Sequence, residues 1–399
     1  MVTPADWKEV RLGDHSSFFK GNGLSKAQLI DDGPHPCVHY GELFTHYGSV
    51  IETVTSNCVE FDGSFKSLAG DVLMPGSDVT PRGLATASAI KVSDVVLGGD
   101  IIVIRSNPIS FYGPFLSNFI RINRGRVLRL VKGSTVYHIH AKDLADLKVL
   151  KPTVREQEAI AEALSDADAA IESLDALIAK KRDVKQAVMQ QLLTGRSRLP
   201  GFTGDWEEVS IGSFAECKAG GTPSTSVPAY WGGDIRWMSS GELNMKRVRD
   251  VAGRITQAGL ENSSTQFFPA DSVLIGLAGQ GKTRGTAAIN LVELTTNQSI
   301  AAIFPSDRHD SKFLFYVMET KYKELRDLSD GGGGRGGLNL TIIKDVRVTV
   351  PQLDEQMRIS EVLWSMDDEL EALTDQVSKI RKVREGMMQN LLTGKVRLV

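Results

Sequence analysis

The stretch at 152–199 reads PTVREQEAIAEALSDADAAIESLDALIAKKRDVKQAVMQQLLTGRSRL, and the stretch at 351–398 reads PQLDEQMRISEVLWSMDDELEALTDQVSKIRKVREGMMQNLLTGKVRL. The second follows the first at a constant offset of 199 residues: Pro152 answers to Pro351, Gln157 to Gln356, and the LLTG at 192–195 to that at 391–394. In the first copy apolar residues fall at Ile160, Leu164, Ala167, Ile171, Leu174 and Ile178. In the second they fall at Ile359, Leu363, Met366, Leu370, Leu373, Val377 and Ile380. Steps of four and three make the narrow seam of a coiled coil, not the wider stripe of a helix lying on a globular core. Thr153 with Glu156 predicts a capping box at the first start. Gly195 and Gly394 supply the glycine expected just past a helix end. About 40 residues at ~1.5 Å each give a rod of about 60 Å, too long for one ordinary domain, so each rod is expected to pair with the other.

The rest of the chain is bounded by composition. With 399 residues there is room for two domains besides the rods. No apolar run approaches ~18 residues, which predicts no membrane span, and MVTPADWKEV at the start lacks the basic and apolar pattern of a secretory signal. Cys37, Cys58 and Cys217 are odd in number and never in CxxC spacing, an expectation of a reducing cytoplasm rather than a disulfide framework. The net charge of −3 is unevenly spread. Residues 152–175 hold seven acids against Arg155 alone, and residues 351–375 hold eight against Arg358 alone, so everything else is net positive. Acidic rods that bind protein and basic globules that bind polyanions follow. The residues expected to face a protein partner are Glu162, Asp168 and Glu172 on the first rod, and Glu361, Asp367 and Glu371 on the second.

The duplication extends beyond the rods. DWKEV at 6–10 answers to DWEEV at 205–209, GEL at 41–43 to GEL at 241–243, and GDVL at 70–73 to ADSVL at 270–274. The order is globule, rod, globule, rod, with boundaries at 1–151, 152–199, 200–350 and 351–399. Short β-rich runs are expected at 49–54, 71–74, 100–104 and 136–139, and again at 235–238, 272–277, 286–291 and 299–304. Helices are expected at 114–122, near 127–131, and as one run over 312–328. This is an α+β pattern, two homologous mixed α/β globules of pseudo-twofold character. The glycine tract at 331–337 has no evident counterpart in the first globule.

Several motifs are decoys. Gly276-Leu-Ala-Gly-Gln-Gly-Lys282-Thr283 spells the phosphate loop GxxxxGKT. A true phosphate loop opens a helix, whereas TRGTAAI at 283–289 reads as a turn and a strand. Asp307 with Glu319 and Lys321 has nuclease letters on a helix, where the side chains diverge. Asn107-Pro108-Ile109-Ser110 falls short of an adenine-methylation loop. His35, Cys37 and His39 lack a fourth metal partner. His138 and His140 share one face of a strand. What remains is a set of basic and amide residues expected on exposed loops. In the first globule these are Lys66, Arg82, Arg121 and Arg124, with Arg126 and Arg129. In the second they are Lys246 and Arg247, with Arg249, the hairpin Gln280, Lys282, Thr283 and Arg284, then Asn297, Gln298, Arg335 and Asn339. Arginine pairs with guanine edges and amides with adenine, while lysine positions on phosphate.

The P-x-x-x-E-Q start, the LLTG end, the WKEV and WEEV openings and the run TNQSIAAI at 296–303 together resemble the DNA-specificity (S) subunit of type I restriction–modification systems. The resemblance covers the whole chain. It implies two target recognition domains and two conserved spacer helices forming an antiparallel coiled coil. It further implies a non-catalytic subunit binding double-stranded DNA beside two methyltransferase (M) subunits and translocating endonuclease (R) subunits. S-adenosylmethionine, ATP and Mg2+ would then be held by those partners and none by this chain. On this reading the rods act as a ruler, and one helical turn inserted before Thr194 lengthens the gap between unchanged half-sites. The alternative from another class is a coiled-coil scaffold whose globules bind protein or carbohydrate; an NTPase using 276–283 is the enzymatic one.

Overall fold

A computed structural model of the chain describes residues 6–59, 63–279, 282–330 and 337–398. It divides into two units, Met1–Ala176 with Thr374–Val399, and Leu177–Leu373. Both divisions fall inside the rods, which are single helices at Val154–Leu192 and Leu353–Leu391.

In the first unit a five-stranded sheet runs in the order Ser16–Lys20, Ile101–Ser106, Val72–Pro75, Ser88–Ile90, Val50–Ile51. All its pairings are antiparallel except the last. Leu73, Ile101 and Val103 are fully buried on one face, and Val72, Met74 and Ile104 on the other, so this sheet is covered on both sides. The helix Gly113–Ile122 packs Phe115, Leu116 and Phe119 against the second of those faces. A two-stranded antiparallel pair, Lys8–Arg11 with Lys148–Lys151, lays the domain's entrance beside its exit, where the first rod begins. The predicted strands at 49–54 and 136–139 shrink to Val50–Ile51 and Tyr137–His138.

The second unit repeats the plan. Its sheet order is Cys217–Ala219, Ile300–Ile303, Val273–Gly276, Ala287–Asn290, Arg247–Val248, with a parallel last pair, and Glu207–Ser210 pairs with Arg347–Val350. The helix expected as one run over 312–328 is two, Ser311–Thr320 and Tyr322–Asp330. The Thr320 hydroxyl donates to the Val317 carbonyl at 2.7 Å, competing with the helical ladder, and Lys321 turns the chain at ψ 7°.

The rods explain the P-x-x-x-E-Q signature. Glu156 is fully buried, but its carboxylate does not return to the helix start as a capping box requires. It accepts from the Trp7 indole N–H at 3.1 Å and from the Arg397 guanidinium, which also holds Asp6. Thr153 keeps its half of the box, accepting from the Glu156 backbone N–H at 3.3 Å. In the second unit Arg198 donates twice to Glu355, at 2.6 and 2.7 Å, beside Trp206. Each rod's start is thus gripped by the arginine that follows the LLTG of the other. The neighbouring glutamine ties rod to domain. Gln157 accepts from the Tyr112 N–H at 2.8 Å and donates to the Ser110 carbonyl; Gln356 accepts from the Asp310 N–H at 3.0 Å. Tyr112 and Asp310 are the residues that open the two equivalent domain helices.

Along the seam Ile160, Leu164, Ile178, Ile359, Leu363 and Val377 are buried. Charged pairs flank it in antiparallel register: Arg384 on Asp168 and Arg381 on Asp175 in the first unit, Lys185 on Asp367 and Lys181 on Glu369 in the second. The pairs Asp168–Arg384 and Asp367–Lys185 are related by the 199-residue offset.

One buried group makes the second unit acid-sensitive. His309, 5% exposed, faces Ser306 at 2.9 Å and the Phe214 ring, and burial lowers its pKa to about 4. The unfolded chain takes up this proton near pH 6.5 and the folded one does not, so stability falls as pH drops from about 6.5 towards 4. The full loss is about 3 kcal/mol. Urea midpoints at pH 7.5 and pH 5 should differ by less in His309→Gln than in the parent; an unchanged difference would remove His309 from the account.

Candidate nucleic-acid interface

The described residues on either side of 280–281 in the GxxxxGKT stretch lead into a pair of antiparallel strands. The Gly276 N–H donates to the Thr286 carbonyl at 3.0 Å and the Gly285 N–H to the Gly276 carbonyl at 2.8 Å, and the chain continues into Ala287–Asn290, antiparallel to Val273–Gly276. No helix dipole meets a phosphate here. Lys282 stands exposed at the tip. The Lys282 carbonyl accepts from the Thr286 hydroxyl and the Tyr322 phenol, which fix the backbone while leaving the ammonium in solvent. In the first unit the connection between Val72–Pro75 and Ser88–Ile90 carries Arg82, also exposed. Arg82 and Lys282 lie 200 residues apart in equivalent connections, a match that letter-by-letter comparison missed because the loops differ in composition. Neither has an ion-pair partner among the described residues.

Most other cations named from sequence are occupied inside their own unit. Arg121 donates to the Ala87 carbonyl at 2.5 Å and the Gly48 carbonyl at 2.8 Å, and burial, with Arg384 nearby, lowers its pKa to about 10. Lys246 bridges Glu319 at 3.1 Å and the Ala287 carbonyl. Arg247, 9% exposed in its side chain, lies 4.0 Å from the Trp364 ring centroid and pairs with Asp368. Arg249 pairs with Glu371 at 2.9 Å, and Arg126 with Glu9 at 2.6 Å. Arg284 is half-buried and donates to Ser329 at 3.2 Å. Asn339 caps the helix Leu340–Asp345 and Asn297 accepts from the Ser299 N–H, so both amides hold backbone. Lys66 is half-buried on a strand paired with Val96–Leu97, and Thr283 is half-buried. Arg124 is exposed, at the start of the helix Arg124–Leu128 rather than on a loop, while Gln280 and Arg335 lie outside the described residues. The common reason is that an arginine or lysine close to an uncapped carbonyl or a rod carboxylate is captured by it, and sequence spacing gives no sign of that.

The rod acids divide in the same way. Asp367 is spent on Lys185 and on the Tyr316 phenol at 2.6 Å, Asp168 on Arg384, Glu371 on Arg249, and Glu361 on Arg358 one turn away. Glu162 and Glu172 are exposed. They line a cleft of about 1040 Å³ in the first unit, with Glu158, Ser165 and Arg121. The residue 199 positions after Ser165 is Trp364, whose indole in the second unit is flanked by Arg247 and by Lys312 at 4.6 Å.

Each unit carries one copy of the same α+β plan and part of both long helices, and each leaves an exposed cation, Arg82 or Lys282, in the connection between equivalent strands of its central sheet. A family model described as the type I restriction modification DNA specificity domain matches residues 4–180 and 203–379, and the chain belongs to that family. The MjaIX specificity subunit of Methanocaldococcus jannaschii is 32% identical over 191 residues, a match spanning 47% of this chain and 43% of that protein. The MjaVIII specificity subunit of the same organism is 23% identical over 429 residues, spanning 99% of this chain and 94% of that one. The fold is similar to the crystal structure of the type I restriction–modification S subunit from M. genitalium, at a TM-score of 0.66, 15% identity and 96% coverage of both chains. No helix among the described residues is long and apolar enough to cross a membrane.

Proposed function

We propose that this chain is the subunit that gives a type I restriction–modification complex its sequence specificity. Each recognition domain reads one half of a bipartite site in double-stranded DNA, and the coiled coil sets the spacing between the halves. The observation that carries the reading is the pair of equivalent strand connections bearing Arg82 and Lys282, whose charges are left in solvent while most of the other candidate cations are consumed internally. Two methyltransferase subunits would dock on the acidic rods, one of them through Glu162 and Glu172 of the first. Methyl transfer from S-adenosylmethionine would belong to them, and ATP- and Mg2+-dependent translocation to the endonuclease subunits.

Salt titration of duplex binding by the complex with its methyltransferase subunits tests this. Arg82→Ala should weaken recognition of one half-site and Lys282→Ala of the other, each lowering the slope of log K against log salt by about 0.9. Unchanged affinity and slope in both variants would sink the interface. Nucleotide binding abolished by Lys282→Ala would favour the NTPase instead.

A further inference from the structure

The first recognition domain carries a second exposed element beside its Arg82 tip. Ser77–Asp78 pairs antiparallel with Tyr137–His138, and the Ile139 N–H donates to the Gly76 carbonyl at 3.0 Å. The chain before His138 folds back on itself: the Lys132 and His138 backbones exchange hydrogen bonds of 2.9 and 2.7 Å around Gly133, which adopts φ +117°. The Lys132 ammonium holds Asp143 at 2.9 Å and anchors the base of this turn. Tyr137 points into the core, while Ser134, Thr135, Val136 and His138 face solvent, with Val136 44% exposed and Val79 on the neighbouring loop 72% exposed. The His138 and His140 rings stack at 6.5 Å, their planes 3° apart. The result is a narrow ribbon, one backbone bridge and one two-residue strand pair deep, whose Ser134 and Thr135 hydroxyls face solvent while the His138 ring rests on His140, and the major groove admits a two-stranded ribbon.

The second domain places a different sequence at this point of the same plan. There the Leu338 N–H donates to the Leu277 carbonyl at 3.0 Å, as Ile139 does to Gly76. KGSTVYH at 132–138 therefore answers to the glycine tract GGGGRGG at 331–337, at the same 199-residue offset as the rods. Of that tract, 331–336 lie outside the described residues. The two domains share the order of their central sheets and the rod grip; they differ in sequence here and in their second sheets, five-stranded in the first unit and three-stranded in the second, and two readers of dissimilar half-sites would have to differ somewhere on the shared plan.

Resting on the function proposed above, we infer that the ribbon at 132–138 reads base edges in the major groove of the first half-site. Ser134, Thr135 and His138 are the specificity-determining residues, and Arg82 sits on the adjoining phosphates. The hydroxyls and the imidazole supply hydrogen bonds to base edges, and the Thr135 and Val136 methyls suit thymine. Because the ribbon is held by Lys132 and by the pairing with Ser77–Asp78, little ordering is lost on binding.

The test uses the complex with its methyltransferase subunits and duplexes carrying the methylation-mapped target with single base-pair changes in either half. The triple variant Ser134→Ala, Thr135→Ala, His138→Ala should lose discrimination by about tenfold or more at one or two positions of one half-site. Discrimination at the other half-site should stay as in the parent, which also shows that the variant is folded and assembled. Unaltered discrimination at every position would overturn the ribbon as reader and leave the proposed function standing. A parent complex with no bipartite preference at all would overturn both.

Discussion

Replacing Leu391 and Leu392 by alanine should loosen the first recognition domain, at the opposite end of the sequence, and spare the second. Both leucines, 4% and 0% exposed, lie in one core with Trp7, Phe115, Phe119, Ile160 and Leu164. A buried leucine cut to alanine costs about 2–5 kcal/mol, so the pair removes about 4–10. That rivals the whole stability of an ordinary domain, about 5–15 kcal/mol. The mirror change, Leu192→Ala with Leu193→Ala, falls in the core that holds Phe313, Leu314, Ile359 and Leu363 and should loosen the second domain instead. Hydrogen exchange followed segment by segment reads both outcomes. Loosening of 207–350 by the C-terminal pair would mean that the rod ends do not cross as described.

A longer ruler should recognise a longer site. The sequence alone suggests inserting a turn before Thr194, but the structure argues against that place. Leu193 is held in the second core and Arg198 on Glu355, so extra residues between them would strain the grip without separating anything. The better position is where neither core holds the helix: four residues after Ala176 in the first rod, matched by four after Leu373 in the second. Each unit then keeps its own contacts. Four residues add about 6 Å of rise and about 40° of rotation; two base pairs add about 7 Å and about 70°. The expected result is a spacer longer by one or two base pairs between unchanged half-sites, read by sequencing methylated adenines. Altered half-sites, or an unchanged spacer with full activity, would defeat the ruler. Insertion in one rod alone should abolish recognition, because the seam loses register.

The rods, their seam, the duplication and the α+β plan of each domain were legible in the amino-acid sequence because they are written in local periodicity and in self-similarity at a fixed offset. An apolar residue every three or four positions declares its partner surface without reference to anything distant. What only the tertiary structure decided is which polar groups are spent. Glu156 spells half a capping box with Thr153, yet it serves Arg397 and Trp7. Arg121 and Arg247 look as available as Arg82, yet they are captured by carbonyls and by a rod carboxylate. A charged side chain in a fold goes to the polar partner within its reach, whether a backbone carbonyl or an exposed carboxylate such as Asp368, and that partner is set by strand order and helix pairing rather than by its neighbours in the chain.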